Sequence, residues 1–303
     1  MRAAGPSGFL DLPTEFCRPE RARVHVLPIP YEATVSFEEG TRDGPAAIID
    51  ASHEVELYDP DTDDEPALRW GVHTLPALPA DWKTGESMMR AVADAAEAVV
   101  RAGRFLCALG GEHSITPALV RGVRRARPEQ LVVVQIDAHA DLRDEFRGGR
   151  YSHACAMRRV LEENPGPTVQ VGIRSYSAEE AAFIKENRGR VAIWTPEMLR
   201  EEDPAEVVRQ IAAEVTGRPV YLTIDVDGLD PSIVAATGTP EPDGLSWPQA
   251  CRILRAVATE GRVVAMDCVE LSPRPGLHTA AFSVAKLLYR TLSWAMARPV
   301  PGQ

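Results

Sequence analysis

No apolar stretch of this chain is long enough to span a bilayer. The N-terminus lacks a basic start followed by an apolar core, so no signal peptide is expected. Cysteine is scarce. Cys17, Cys107, Cys155, Cys251 and Cys268 form neither a CxxC pair nor an even framework, so a disulfide scaffold is not expected. Cys107 and Cys268 fall inside apolar strand patterns and read as buried thiols, which fits a reducing cytoplasm. There is no basic stripe, and the net charge is −11, which argues against nucleic acid as a partner. An acidic protein can draw small cations into a cleft, although solubility alone would account for the charge. The Arg121–Arg127 run reads as a helix end, with its cations set favourably against the dipole. The acidic segment Asp59–Glu65 lacks the turn glycine and distal glutamate of a calcium loop, and reads as solvated. Internal repeats and low-complexity linkers are also missing.

What is present is 303 residues with 45% hydrophobic composition, enough for one large α/β domain or two small ones. Met1–Arg21 is rich in Pro, Gly and charge and reads as an arm or surface segment. Val24–Pro28 looks like the first strand. Gly44-Pro45 before AAIID marks a helix start. Thr84–Arg101 has helical spacing, with Met88 and Met89 as core filler. Beyond Arg104, strand patterns (105–109, 131–136, 168–171, 191–194, 220–224, 263–268) alternate with helical ones (116–125, 153–163, 179–186, 204–215, 248–259, 279–296). Such alternation implies βαβ units and a parallel sheet. The simplest division is an arm at 1–21 and a single catalytic domain at 22–303.

The chemistry gathers at three strand ends. Leu131–Ile136 reads as a strand buried on both faces and runs into Asp137, His139 and Asp141, with alanines between. In an extended chain, alternate side chains point the same way, at the strand end where open α/β sheets place ligands. Pro219–Ile224 runs into Asp225 and Asp227, and Arg104–Leu109 into Gly110, Gly111, Glu112 and His113. Mixed imidazole and carboxylate suit a borderline-hard divalent metal. Four carboxylates cannot share a site without cations, and two divalent ions would balance them, with Asp137 and Asp225 as bridges. The alternative is a set of separate, solvated loop decorations. His153 follows Asp141 by twelve residues and could shuttle protons near the cluster, or could be a plain core or helix-start histidine. Cys155 beside it raises a Cys–His nucleophile as a second option.

Three stretches together, GGEHS (Gly110–Ser114), DAHAD (Asp137–Asp141) and DVDGLDP (Asp225–Pro231), resemble the signatures of the ureohydrolase family, which includes arginases and agmatinases. The resemblance runs from about Val24 to Trp294. It implies a three-layer α/β/α fold with a mainly parallel eight-stranded sheet. It also implies a binuclear manganese enzyme that hydrolyses a guanidinium to urea and an amine. One Mn²⁺ would be bound by His113, Asp137, Asp141 and Asp225, the other by Asp137, His139, Asp225 and Asp227. The expected catalytic residues are His153, to protonate the leaving amine, Glu270, to hold the guanidinium, and Asp141. Asp267, three residues before Glu270, would not share its side in an extended chain. Asp230 reads as a turn residue or a support for the ligands, and Gly238–Pro240 resembles a family loop beside the site or is plain turn chemistry. Homotrimers or homohexamers are implied as well, while the cytoplasmic location expected here rests on the cysteines.

Departures from the family pattern bear on substrate. The Pro30–Ser52 stretch resembles the agmatinase branch. Glu112 stands where arginases commonly have Asp, and Arg143 where arginases have the Asn that reads the amino acid's carboxylate. Arg143 is expected to face Asp144, Glu145 or solvent. His278 resembles a histidine of enzymes acting on aminopropylagmatine. The resulting expectation is an agmatinase, making putrescine and urea. The alternatives are an aminopropylagmatine ureohydrolase, a guanidinobutyrase or a metal-binding relative without turnover.

Overall fold

A computed structural model describes residues 8–201 and 203–297. The β-branched and leucine runs give eight strands: β1 (Val24–Ile29), β2 (Val72–Thr74), β3 (Phe105–Gly110), β4 (Val132–Ile136), β5 (Thr168–Val171), β6 (Val191–Trp194), β7 (Pro219–Asp225) and β8 (Arg262–Val269). They form one sheet in the order β2-β1-β3-β8-β7-β4-β5-β6, and every pairing is parallel. β1, β3 and β4 are buried along their whole length, as a sheet covered on both faces requires.

The helices are α1 (Gly44–Ser52), α2 (Pro66–Trp70), α3 (Gly85–Arg101), α4 (Thr116–Ala126), α5 (Ala156–Glu163), α6 (Ala178–Glu186), α7 (Met198–Glu201), α8 (Pro204–Val215), α9 (Trp247–Glu260) and α10 (His278–Met296). Side chains alternate between two cores. Val132, Val134 and Ile136 pack with residues of α1, α8, α9 and α10. Leu131, Val133 and Tyr221 pack with α3, α4 and α5 on the other face. This is the expected three-layer α/β/α arrangement.

Three local readings change. β2 has three residues, of which only Val72 is buried, too little pattern to stand out in the sequence. The first turn of the helix expected from His153 is a 3₁₀ turn, His153–Cys155, before α5. Of the segment expected at the surface, residues 1–7 lie outside the described residues, and Phe9, Leu10 and Leu12 are buried in the core beside α1. Three apolar side chains in a Pro- and Gly-rich stretch were enough to anchor it. Among the described residues, no helix is long and apolar enough to cross a membrane.

The strand order positions the site. β3 and β4 follow each other in the chain, yet β8 and β7 lie between them in the sheet. The connections therefore diverge there, and a crevice opens at the carboxyl ends of β3, β8, β7 and β4, the switch point at which open α/β sheets bind ligands. Gly228, just past β7, lets two of those ends meet. A Cβ on it would lie 2.6 Å from the Asp137 nitrogen.

Candidate active site

His113, Asp137, Asp141, Asp225 and Asp227 are buried at the ends of β3, β4 and β7, with Glu270 beside them at the end of β8 and His139 partly exposed. His113 Nδ1 lies 3.1 Å from Asp137 Oδ2, 3.0 Å from Asp141 Oδ2 and 3.4 Å from Asp225 Oδ2. His139 Nδ1 lies 3.0 Å from Asp227 Oδ2 and 3.6 Å from Asp137 Oδ1. Two ligand triads result, His113/Asp137/Asp141 and Asp137/His139/Asp227, and Asp137 belongs to both. His139 and Asp141 thus fall in different triads. β4 ends at Ile136, and Asp141 is delivered by a left-handed residue (φ 52°), so the extended-chain argument fails beyond His139 although the residues it selected do converge.

The carboxylates are held from behind. Asp137 accepts from the His139 backbone N–H and from Gln135 Nε2, both at 2.6 Å. Asp225 accepts from the Asp227 N–H at 2.9 Å, and Asp227 from the Ala138 N–H at 3.0 Å. Behind His113, Nε2 lies 3.0 Å from Thr223 Oγ1, which donates to Asp267 at 2.7 Å. Burial pushes the Asp267 carboxyl up in pKa, and His113 with its hydroxyl partners pulls it back.

The electrostatics call for cations. Burial and the neighbouring Asp137 push Asp141 up to about 7. Burial, Asp227 and Asp137 lift Asp225 well above the carboxylate range. Burial disfavours charge on His113 and His139, but the surrounding carboxylates outweigh it and raise both. His113 Nδ1 is buried, makes no hydrogen bond and faces three carboxylate oxygens. A buried imidazole nitrogen amid carboxylates fits a divalent metal ligand, because a metal satisfies the imidazole and the acids together.

His153 lies across the cavity with a hydroxyl on each ring nitrogen: Ser36 Oγ 2.8 Å from Nε2 and Thr34 Oγ1 3.1 Å from Nδ1. Burial and the positive charge of His113 and His139 bring its pKa down to about 4. The loop carrying these hydroxyls is pinned by Glu112, which accepts from the Ala33 and Thr34 N–H groups at 2.6 Å each and from Thr34 Oγ1 at 2.8 Å. Glu112 is therefore a loop anchor. Cys155 is buried and its thiol is raised to about 11, chiefly by burial, which removes the nucleophile reading. Asp230 takes the Ser232 and Gly244 N–H groups and is a turn residue.

An outer cavity of about 240 Å³ is lined by Arg143, Phe146, Tyr176 and Glu180 as well as His139 and His153. It shares His139, Asp141, His153 and Thr239 with a small inner cavity whose walls include Asp225, Asp227 and Glu270. The expectation for Arg143 is corrected here. Its guanidinium lies 3.7 Å from Glu180 and over the Phe146 ring, on the cavity wall, while Asp144 pairs with Arg159. Glu180, three residues into a capping box with Ser177, is held there because it also accepts the Leu142 N–H. His278 is exposed at the start of α10 and lines neither cavity.

Sequence reasoning missed Thr223, Thr34, Ser36 and Arg174, and set Asp267 aside as not sharing the side of Glu270. Arg174 donates to the Asp227, Glu241 and Pro242 carbonyls at 2.7–2.8 Å and ties the Gly238–Pro240 loop to the ligand segment. The available signal was position. Thr223 sits two residues before Asp225, on the same side of β7.

A parallel α/β sheet with paired His/Asp sets at its switch point has the donor groups of a divalent-metal site. The profile of the Arginase family matches residues 22–293, and the chain belongs to that family. It is a ureohydrolase, acting on guanidino C–N bonds, in a family that depends on a binuclear metal centre. It is similar to the N(1)-aminopropylagmatine ureohydrolase of Synechocystis sp., with 38% identity over 95% of this chain and 96% of that one. It is 31% identical to the agmatinase of Bacillus anthracis over 84% of this chain and 85% of that one. The agmatine ureohydrolase of Thermoplasma volcanium superposes with a TM-score of 0.84 at 28% identity, covering 96% of this chain and 95% of that one.

Proposed function

We propose that the protein hydrolyses N1-aminopropylagmatine to urea and the corresponding triamine. The observation that carries this reading is the greater similarity, over nearly the whole chain, to an aminopropylagmatine ureohydrolase than to an agmatinase. It displaces agmatine, the expectation from the motifs, to second place.

His113, Asp137, Asp141 and Asp225 would hold one divalent ion, and Asp137, His139, Asp225 and Asp227 the other, with Mn²⁺ as the proposed metal. Bound there, such a pair acidifies water toward neutral pH and so supplies a nucleophile. Glu270 receives the guanidinium. Its Oε1 already accepts the His113 N–H at 2.7 Å, and burial followed by the neighbouring Glu112 raises its pKa. An arriving cation relieves that cost, so charge is the selection at this point. His153 is neutral at pH 7. It takes one of the attacking water's protons on a ring nitrogen and releases it to the departing amine, with the hydroxyls of Ser36 and Thr34 as its hydrogen-bond partners. The guanidinium carbon gains oxygen and loses the alkyl nitrogen, which leaves protonated. The outer cavity takes the aminopropyl tail, along a wall that includes Phe146 and Tyr176.

Urea release by Mn²⁺-loaded protein from aminopropylagmatine, agmatine, guanidinobutyrate and arginine tests the reading. A clear preference for either of the last two would overturn it.

A further inference from the structure

Thr223 and Asp267 are direct register partners on the adjacent strands β7 and β8, both fully buried. Asp267 accepts from three hydroxyls: Thr223 Oγ1 at 2.7 Å on one oxygen, and on the other Thr116 Oγ1 at 3.1 Å together with the closer Tyr221 OH. An ionised carboxylate is an acceptor only, and three surrounding O–H donors fit that state. The consequence runs along the chain of bonds. If Thr223 spends its one proton on Asp267, its oxygen can only accept from His113 Nε2, 3.0 Å away. His113 must then carry its proton on Nε2. That leaves the lone pair on Nδ1, the atom that faces Asp137, Asp141 and Asp225 without a hydrogen-bond partner.

We propose that Asp267 is a positioning residue, which acts through Thr223 to fix the tautomer of His113 so that Nδ1 is presented to one of the two metal ions. The inference rests on the metal-centre reading above. Asp267 touches neither ion nor substrate. His113, the residue this relay ends on, belongs to one triad alone, and the other, Asp137/His139/Asp227, meets it through the shared carboxylates Asp137 and Asp225. The two ion sites should therefore respond differently to its loss.

Asp267→Asn supplies the decisive change. Its amide can donate to Thr223, which turns the threonine proton toward His113 Nε2 and favours the wrong tautomer. Mn²⁺ titration followed by calorimetry should show two ions in the wild type. In Asp267→Asn, one site should weaken ~10–100-fold, the usual effect of losing such a support, and the other should stay within about threefold. Thr223→Val should behave like Asp267→Asn. Thr223→Ser should restore both sites, and the double variant should be no worse than either single one, because both break one chain. In Cd²⁺-loaded, ¹⁵N-histidine-labelled protein, the His113 Nε2 proton should be protected from exchange in wild type and Thr223→Ser, and exposed in Thr223→Val. Equal weakening of both sites, no weakening, additive losses or unchanged Nε2 protection would each overturn the assignment. If Asp267→Asn does not fold, the Val and Ser pair at position 223 still decides. Wild type that takes up no pair of ions would instead overturn the metal-centre reading itself.

Discussion

Glu270 accepts the backbone N–H of His113 at 2.7 Å, so the carboxylate assigned to the substrate is braced by the segment that carries a ligand. Glu270 also sits at φ 66°, a left-handed conformation that costs a non-glycine residue ~1–2 kcal/mol. Asp141 shares this feature at φ 52°. Strain of this kind persists where the surroundings over-determine it, and here both cases bear carboxylates that face the crevice.

Glu270→Gln keeps the length and the acceptor for His113 but removes the charge. A charged hydrogen bond contributes about 1.5–3 kcal/mol, so kcat/KM should fall ~10–100-fold. Metal content and melting temperature should stay near wild type. Steady-state kinetics with metal analysis on the same samples check this. A variant that keeps full activity would remove Glu270 from guanidinium binding.

The two triads predict close to two Mn²⁺ per chain and loss of activity with chelators. Asp225→Asn should lose most of the bound metal, because Asp225 is assigned to both ions, whereas His139→Asn should retain the His113 ion. Metal analysis after gel filtration measures both. One ion or none in active wild type would end the binuclear assignment.

His153→Asn should retain both ions while turnover falls ~10²–10⁴-fold, the range for losing a general acid–base. Loss of metal in this variant would make His153 a ligand. The same residue predicts a pH effect on stability. Its folded pKa of about 4 lies below the ordinary value near ~6.5. The folded state therefore binds fewer protons in that window. The stabilisation is complete above about pH 6.5 and is lost as pH falls toward 4. Between pH 7 and 5, chelator-treated wild type should lose more melting temperature than chelator-treated His153→Asn. Equal losses would count against a buried, neutral His153.

Much of this was legible in the sequence, for physical reasons. A strand buried on both faces cannot hide its apolar run, so β3, β4, β7 and β8 stood out, and the six residues proposed as ligands were picked from what the runs deliver at their ends. β2 was not legible because three residues, one of them buried, make no pattern. The role of Asp267, which the sequence only excluded from pairing with Glu270, was hidden for a different reason. Its partner is a register neighbour on another strand, and no spacing along one chain reveals the register between two. Arg143 was misplaced because the nearest acids in sequence, Asp144 and Glu145, offered an obvious partner. Asp144 is taken by Arg159, and Glu180, far along the chain, takes up the guanidinium.

That position of Arg143 governs substrate choice. Its Nε lies 3.7 Å from Glu180, so among the described residues the outer cavity is lined by no guanidinium or ammonium without an acidic neighbour. Arginine's carboxylate would have to displace Glu180, or remain desolvated without a partner, and either costs free energy. A tail that ends in an ammonium meets no such barrier. Its three extra methylenes, relative to agmatine, can each gain at most ~0.8 kcal/mol by burial. In an open cavity only part of that is realised, so aminopropylagmatine should exceed agmatine by about tenfold in kcat/KM. Agmatine should in turn exceed arginine by at least ~10²-fold, or ~2.7 kcal/mol of transition-state binding. Arg143→Ala separates the causes. If Arg143 merely lines the wall, the order of substrates should persist in the variant. Comparable wild-type efficiency on arginine, lost selectively in Arg143→Ala, would make Arg143 a carboxylate reader and overturn the polyamine assignment.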